Sequence, residues 1–307
     1  MYFFFYFKIK ELTEKNLIII QNNLKNNNII IAWENIDSYG FPYRIVNELN
    51  NVKIKINSSE ISIKNLNIIY QPWNIKHILI KISNKIDIIY NNNKIIIYPE
   101  ILTSVVIDKN KEKRISMNFN EVFIKNDQYI HKINRPEIYF RESIKNNLQY
   151  SLKIKELFYY PDFINEHSIK NLLVNGKIIN HKNINFNNYF EWLANEGGID
   201  IDDFKFNISQ ISMKGNAFLG IDKNLDLQSS ISIESNELDN LVLVLKNKNL
   251  ITENFFEKSN IIIKAIELAS KTSNTIPKFS VSIQNGYLSL MGIKLLNIPN
   301  LKMFKFN

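Results

Sequence analysis

Apolar and polar residues along this chain keep one of two periods. From Lys8 to about Lys25, Ile9, Leu12, Leu17, Ile20 and Leu24 recur at three-to-four spacing, which predicts an amphipathic helix ended by Asn26-Asn27-Asn28. Beyond it the period is two. The segments Val52 to Asn57, Ile61 to Lys64, Ile78 to Ile82, Ile86 to Tyr90, Ile95 to Tyr98 and Leu102 to Asp108 read as successive short strands. Alternation of Ile with Lys or Ser gives each strand one apolar and one polar face, as in a sheet covered on one side. Isoleucine suits this because its branched Cβ favours extended backbone. Asn91-Asn92-Asn93 and Gln71-Pro72 punctuate the runs, so an antiparallel meander is expected.

The same texture continues through Arg114 to Phe140, Leu148 to Leu157 and Lys170 to Ile179. Asn187 to Asn195 predicts a short helix, stopped by Gly197-Gly198. Strands resume from Ile199 to Ile233. A helical hairpin is expected over Glu237 to Lys246 and Thr252 to Ala269, with Phe255, Phe256, Ile262, Ile263 and Ile266 on one face. The final strands, Phe279 to Ile283 and Tyr287 to Met291, flank Asn285-Gly286, a hairpin signal. The fold class is therefore mainly β, with a few helices. No linker fixes a boundary, so residues 27–307 read as one β-rich domain or as two lobes dividing near residue 185.

Composition adds little to fold but narrows partners. At 45% hydrophobic and 12% aromatic residues the chain should fold despite its asparagine runs. The net charge of +8 and pI near 9.2 suit an anionic surface. The lysines, however, are dispersed singly, and the one compact run, Lys109 to Arg114, is interrupted by Glu112. Nucleic-acid binding needs clustering on a face or helix, so no nucleic-acid partner is expected, whereas anionic lipid fits better. With no cysteine, disulfides, thiolate metal sites and a cysteine nucleophile are excluded. The stretch Tyr2 to Phe7 is wholly aromatic. It is too short to span a bilayer core, which needs about 20 apolar residues. It reads as the start of a strand or helix, or as the exit end of a membrane anchor with its aromatics at headgroup level.

Candidate chemistry is sparse. His77, His131, His167 and His181 are isolated from one another, against a zinc or haem site, and His77 reads as a residue filling a strand face. No Gly-x-Ser-x-Gly, phosphate-loop or dinucleotide motif occurs. Asp200, Asp202 and Asp203 are the densest acids; their oxygens could bind calcium or serve acid–base catalysis, or simply occupy the solvent face of a strand. No enzyme activity, metal or cofactor is expected. The least generic segment is Ser38 to Arg44, where Gly40 allows a bend and Pro42 keeps its predecessor extended. It reads as a structural turn, or as a lipid or headgroup contact made by Phe41, Pro42, Tyr43 and Arg44.

Those residues also carry a family resemblance. A membrane-exit helix followed by Tyr39-Gly40-Phe41-Pro42-Tyr43-Arg44 and a long run of strands resembles the bacterial domain of unknown function 2125 family of Gram-negative envelopes. The Gly197-Gly198 turn, the strand Gly215 to Asp226, the helical hairpin, and Asn285 to Gly292 ending in Ile298-Pro299 are similar too. The family is similar to the AsmA-like proteins. That resemblance implies an elongated, curved antiparallel sheet on the periplasmic side of the inner membrane, tethered through the N-terminus and handling lipid. Residues 1–26 are then expected to be a truncated anchor and exit helix. The function expected is lipid binding or transfer in an isoleucine-lined groove, or help in envelope assembly. The alternative is a ligand-free structural or protein-interaction module of the envelope.

Overall fold

A computed structural model describes residues 2–25, 29–56, 59–90, 93–98, 101–107, 113–125, 130–143, 146–158, 168–184, 189–208, 211–222, 226–247 and 251–298. Among the features singled out in the sequence, Asn26-Asn27-Asn28, Asn91-Asn92, residues 109–112 of the basic run, His167, Asn187 and Pro299 lie outside them. The fold is mainly β and antiparallel, with an N-terminal helix and a C-terminal helical pair, as the periodicity predicts. The chain forms two compact units, Met1–Arg141 with Leu157–Tyr160, and Glu142–Glu156 with Pro161–Asn307.

The first unit opens with helix α1 (Tyr2–Lys25), then β1 (Ile29–Ala32), β2 (Asn35–Tyr39), β3 (Ile45–Ile56), β4 (Ser59–Gln71), β5 (Asn74–Ile82) and β6 (Ile86–Tyr90). It continues with β7 (Asn93–Tyr98), β8 (Ile101–Ile107), β9 (Lys113–Asn118), β10 (Glu121–Lys125), β11 (Ile130–Asn134) and β12 (Glu137–Glu142). β3 and β4 make one long hairpin, paired from Ile45 with Tyr70 to Ile56 with Ser59. The sheet forks on this hairpin. One half of β3 holds β2 and the other β1; one half of β4 holds β5 and the other β6. From β5 a branch runs through β8, β9 and β12, and from β6 another runs through β7, β10 and β11.

The fork is written into the alternation. The apolar cluster under α1 takes Ile45 and Leu49 from odd positions of β3 but Val52 from an even one, and Ile63 from an odd position of β4 but Ile68 and Tyr70 from even ones; Val46, also buried, lies outside that cluster. A change of phase moves every following side chain to the other face of its strand. Here it occurs on both strands together, at Asn50-Asn51 opposite Lys64-Asn65, so the two halves of the hairpin present different faces and recruit different neighbours. Asn51 has φ +52°, a left-handed conformation asparagine tolerates better than most residues.

Helix α1 lies on this sheet. It buries Tyr6, Ile9, Thr13 and Leu17, one face at three-to-four spacing, whereas Leu12 and Ile20, expected on the apolar face, are exposed. Polar anchors set that rotation. The buried Asn47 Nδ2 donates to Thr13 Oγ1 at 3.1 Å, and Ser38 Oγ donates to Asn47 Oδ1 at 2.9 Å. Gln21 Nε2 donates to the Ile31 carbonyl at 2.7 Å. A buried amide left unpaired would cost about 1–3 kcal/mol, so the face carrying Thr13 turns inward in preference to that carrying Leu12. The apolar cluster beneath takes Ile63 and Ile86 from one branch and Ile68, Tyr70, Ile82 and Ile101 from the other. Among the described residues, no helix is long and apolar enough to cross a membrane.

The second unit contains most of β13 (Leu148–Phe158), then β14 (Ser168–Ile179), helix α2 (Tyr189–Ala194), β15 (Gly198–Ile208), β16 (Ile211–Ile221) and β17 (Leu227–Glu234). Helices α3 (Leu238–Asn247) and α4 (Glu253–Ser273) follow, then β18 (Lys278–Gln284), β19 (Tyr287–Leu290) and β20 (Ile293–Asn297). From β14 to β20 each strand pairs with the next, an unforked meander. Leu238, Val242 and Ile263 of the helical pair pack on Phe279 and Leu290 of the sheet. Serines take the alternate positions, with Ser230 opposite Ser282 and Ser232 opposite Ser280. The predicted hairpin at Asn285-Gly286 forms with both residues at positive φ, as a two-residue turn requires. Strands β1, β2 and β20 were not expected: β1 (Ile29-Ile30-Ile31-Ala32) and β20 (Ile293-Lys294-Leu295-Leu296-Asn297) do not alternate cleanly, and β2 (Asn35-Ile36-Asp37-Ser38-Tyr39) carries a single aliphatic residue.

Candidate functional site

The segment singled out in the sequence forms one end of the first unit. Gly40 has φ +107°, and a Cβ there would come within 2.8 Å of the Arg44 carbonyl oxygen, so glycine is required for the turn. The Arg44 amide donates to the Gly40 carbonyl at 3.1 Å, and the Phe41–Pro42 peptide is cis. This turn packs on the aromatic start of α1. The Phe41 ring stands edge-on to Tyr6 at 4.9 Å and to Phe3 at 5.7 Å, and the Tyr6 hydroxyl donates to the Arg44 carbonyl at 3.2 Å. Tyr6 is buried, which fixes the pair to the core.

Around that buried contact the other rings face outward. Phe3 is 62% exposed, Phe4 75%, Phe41 51% and Tyr43 75%. Because Ile45 pairs with Tyr70, the residues before Ile45 and those after Tyr70 emerge at the same end of the hairpin. The β4–β5 tip therefore adds Trp73, 61% exposed, and Ile75. Soluble surfaces rarely collect large apolar side chains in one place, and tryptophan and tyrosine at such an end suit a membrane–water interface. Arg44, Lys8 and Lys76, all exposed, supply positive charge on the same segments. Tyr39, at the edge of the turn, donates to Glu48 Oε2 at 3.1 Å; burial first, and the Glu48 carboxylate second, hold its phenol above the ordinary value.

Phe41, Tyr43 and Arg44 are thus presented to solvent, while Pro42 is half-buried. The sequence reading missed Trp73, whose signal was a lone tryptophan after Gln71-Pro72, a place where a turn leaves a side chain uncovered. On strand β15, Asp200 and Asp202 are in ion pairs and Asp203 accepts from an amide. Lys177 Nζ lies 2.8 Å from Asp200 Oδ2 and 3.6 Å from Asp202 Oδ1, and Asn175 Nδ2 donates to Asp203 at 2.9 Å. The hydrogen bond to Asp200 raises the Lys177 pKa above its ordinary value, so that ammonium stays charged. Among the described residues no three His, Cys, Asp or Glu side chains are placed to share a metal ion. His77 Nε2 sits 2.9 Å from Ser104 Oγ on the neighbouring strand, and His181 Nδ1 sits 2.9 Å from the Asn146 carbonyl.

The meander of the second unit is where a family model matches. Residues 168–299, from β14 past β20, match an uncharacterized protein conserved in bacteria, DUF2125. Over those residues the chain is similar to the DUF2125 family. The boundaries of the match enclose the seven-strand meander and its helical pair. No curated protein and no solved structure matches the chain.

Proposed function

We propose that this chain, similar to DUF2125 over residues 168–299, is a non-enzymatic protein of the bacterial cell envelope, docking on the periplasmic side of the inner membrane and binding or transferring lipid. The observation that carries the proposal is the exposed aromatic end of the first unit, anchored by Tyr6 and Phe41. Each ring there buries part of its 150–250 Å² on entering the headgroup layer, a gain on the order of 1–2 kcal/mol at about 25 cal/mol per Å². The basic side chains on the same segments add attraction to anionic lipid. Partly buried isoleucines such as Ile78, Ile88 and Ile97, at the margin of the first unit's core, are the positions that would shield an acyl chain.

The test is co-flotation with vesicles of phosphatidylethanolamine and phosphatidylglycerol. The full chain should float, and Phe4→Ser/Tyr43→Ser/Trp73→Ser should partition at least about tenfold less, because three exposed rings are lost without touching the core. Failure of the unaltered chain to float, or flotation equal to that of the triple variant, would overturn membrane docking.

One observation favours the ligand-free alternative: the isoleucine faces of both branches meet in one cluster under α1, where Ile63, Ile68, Ile82, Ile86 and Ile101 already cover one another. Native mass spectrometry of purified protein separates the two. A co-purifying lipid mass supports the groove; a bare chain supports the structural module.

A further inference from the structure

At the place where the β3–β4 hairpin changes face, a cleft of about 640 Å³ opens. Two rows of side chains floor it. Lys64 lies opposite Asn51, and in the next row Lys53 pairs with Ser62, which pairs in turn with Asp87 on β6. Lys85 closes one side and Glu34 another. The two carboxylates are occupied: Asp87 Oδ2 is 3.2 Å from Lys85 Nζ, and Glu34 Oε2 accepts from Asn51 Nδ2 at 2.6 Å. Among the described residues neither Lys53 nor Lys64 is in an ion pair, and both are exposed to the cleft.

Two such lysines, outside any ion pair of the described residues and on strand positions beside a hydroxyl, suit an anion, and their chemistry narrows its kind. Lysine acts as a compact point charge with rotatable donors, the kind of partner phosphate takes from several directions. A monocarboxylate offers two oxygens in one plane, whereas phosphate can accept from Lys53, Lys64 and Ser62 together. The flanking acids oppose a polyanion, so the cleft suits one phosphate rather than a nucleic-acid backbone. We propose that this cleft binds a single phosphate group, held by Lys53, Lys64 and the Ser62 hydroxyl. That phosphate is carried either by a soluble ester or by a lipid headgroup. The inference does not depend on the aromatic end: it holds whether or not that end meets a membrane.

Calorimetric titration of the full chain with inorganic phosphate and glycerol 3-phosphate tests it, beside flotation with phosphatidylglycerol or phosphatidylcholine vesicles. Lys53→Gln/Lys64→Gln removes the two cations at exposed strand positions, and Lys155→Gln/Lys205→Gln removes equal charge elsewhere, from strands of the second unit and not from the aromatic end. Binding of either soluble probe, weakened about tenfold or more by the first pair and unchanged by the second, is the expected result for a soluble ester. Binding of phosphatidylglycerol vesicles alone, again lost only with the first pair, assigns the phosphate to a headgroup. Absence of binding to every probe, or equal weakening by both pairs, overturns the proposal. Titration of Phe4→Ser/Tyr43→Ser/Trp73→Ser with glycerol 3-phosphate keeps the two readings apart, since that variant should bind the soluble phosphate as the unaltered chain does.

Discussion

The two units use the same grammar of alternating isoleucines and build different sheets. In the second, alternation runs unbroken along Ile231 and Ile233, Phe279 and Val281, and Leu288 and Leu290, and each strand from β14 to β20 pairs with its successor. In the first, the alternation slips once on each strand of the central hairpin, and the sheet forks there. Polar positions differ as well. Serine fills them in β17 and β18, where small hydroxyls pack side by side, whereas asparagine fills the slip itself at Asn50, Asn51 and Asn65. Asn65 Nδ2 donates both to Glu48 at 2.9 Å and to Asn50 at 2.6 Å, so the bend carries its own polar network. Register shifts also occur in the meander, at Lys170/Leu173 and Asn175/Gly176 between β14 and β15 and at Ile201/Phe204 between β15 and β16, without a fork, so what sets the first unit apart is a change of face on two paired strands at one place.

The hardest blow to the second unit would be Phe279→Ala. That side chain is fully buried between the helical pair and the meander. Its loss should cost about 3–5 kcal/mol, read as a lower urea midpoint with faster amide exchange in β17 to β19. The contrast between the units breaks if β3 and β4 lose protection to the same extent. A smaller effect sharpens the account of the fork. Asn51 is exposed and left-handed, so Asn51→Val should cost about 1–2 kcal/mol through backbone strain while Asn51→Gly stays near neutral. Equal stability of the two variants would show that the slip does not depend on Asn51.

The smallest expected effect concerns Glu267 on α4, whose Oε1 is buried without a hydrogen-bond partner. Burial, ahead of repulsion from Asp239, holds its carboxyl above the ordinary value of 4.5. A carboxyl whose pKa is raised on folding binds its proton more tightly in the folded state. Its penalty is therefore present at neutral pH, fades as pH falls through the folded value, and is gone below the unfolded one. Glu267→Gln should be slightly more stable than the unaltered chain at pH 7, and the gap should close below about pH 4.5. Thermal denaturation of the two proteins across that range reads the difference, and a gap that widens on acidification would reverse the assignment.

Much of the fold was legible because its signals are local. Period-two isoleucine follows from strand geometry, the helical pair from three-to-four spacing over Leu238 to Ser273, and the β18–β19 turn from Asn285-Gly286, whose backbone preference is its own. The Gly40 turn was visible for the same reason. The fork was printed as well, in the three-residue steps from Leu49 to Val52 and from Ile63 to Leu66, but its meaning depends on two strands slipping opposite each other. The buried face of α1 was misjudged because Thr13 and Gln21 outweigh Leu12 and Ile20 once Asn47 and the Ile31 carbonyl need partners. Trp73 joins Phe41 and Tyr43 at one end only because Ile45 pairs with Tyr70, and Lys53 and Lys64 share a cleft only because β3 lies against β4. By itself the sequence determined element type and turn chemistry, since each residue's backbone preference acts within a few neighbours. Tertiary structure alone decided the candidate sites, because they are assembled from residues tens of positions apart, and register between strands is what brings such residues together.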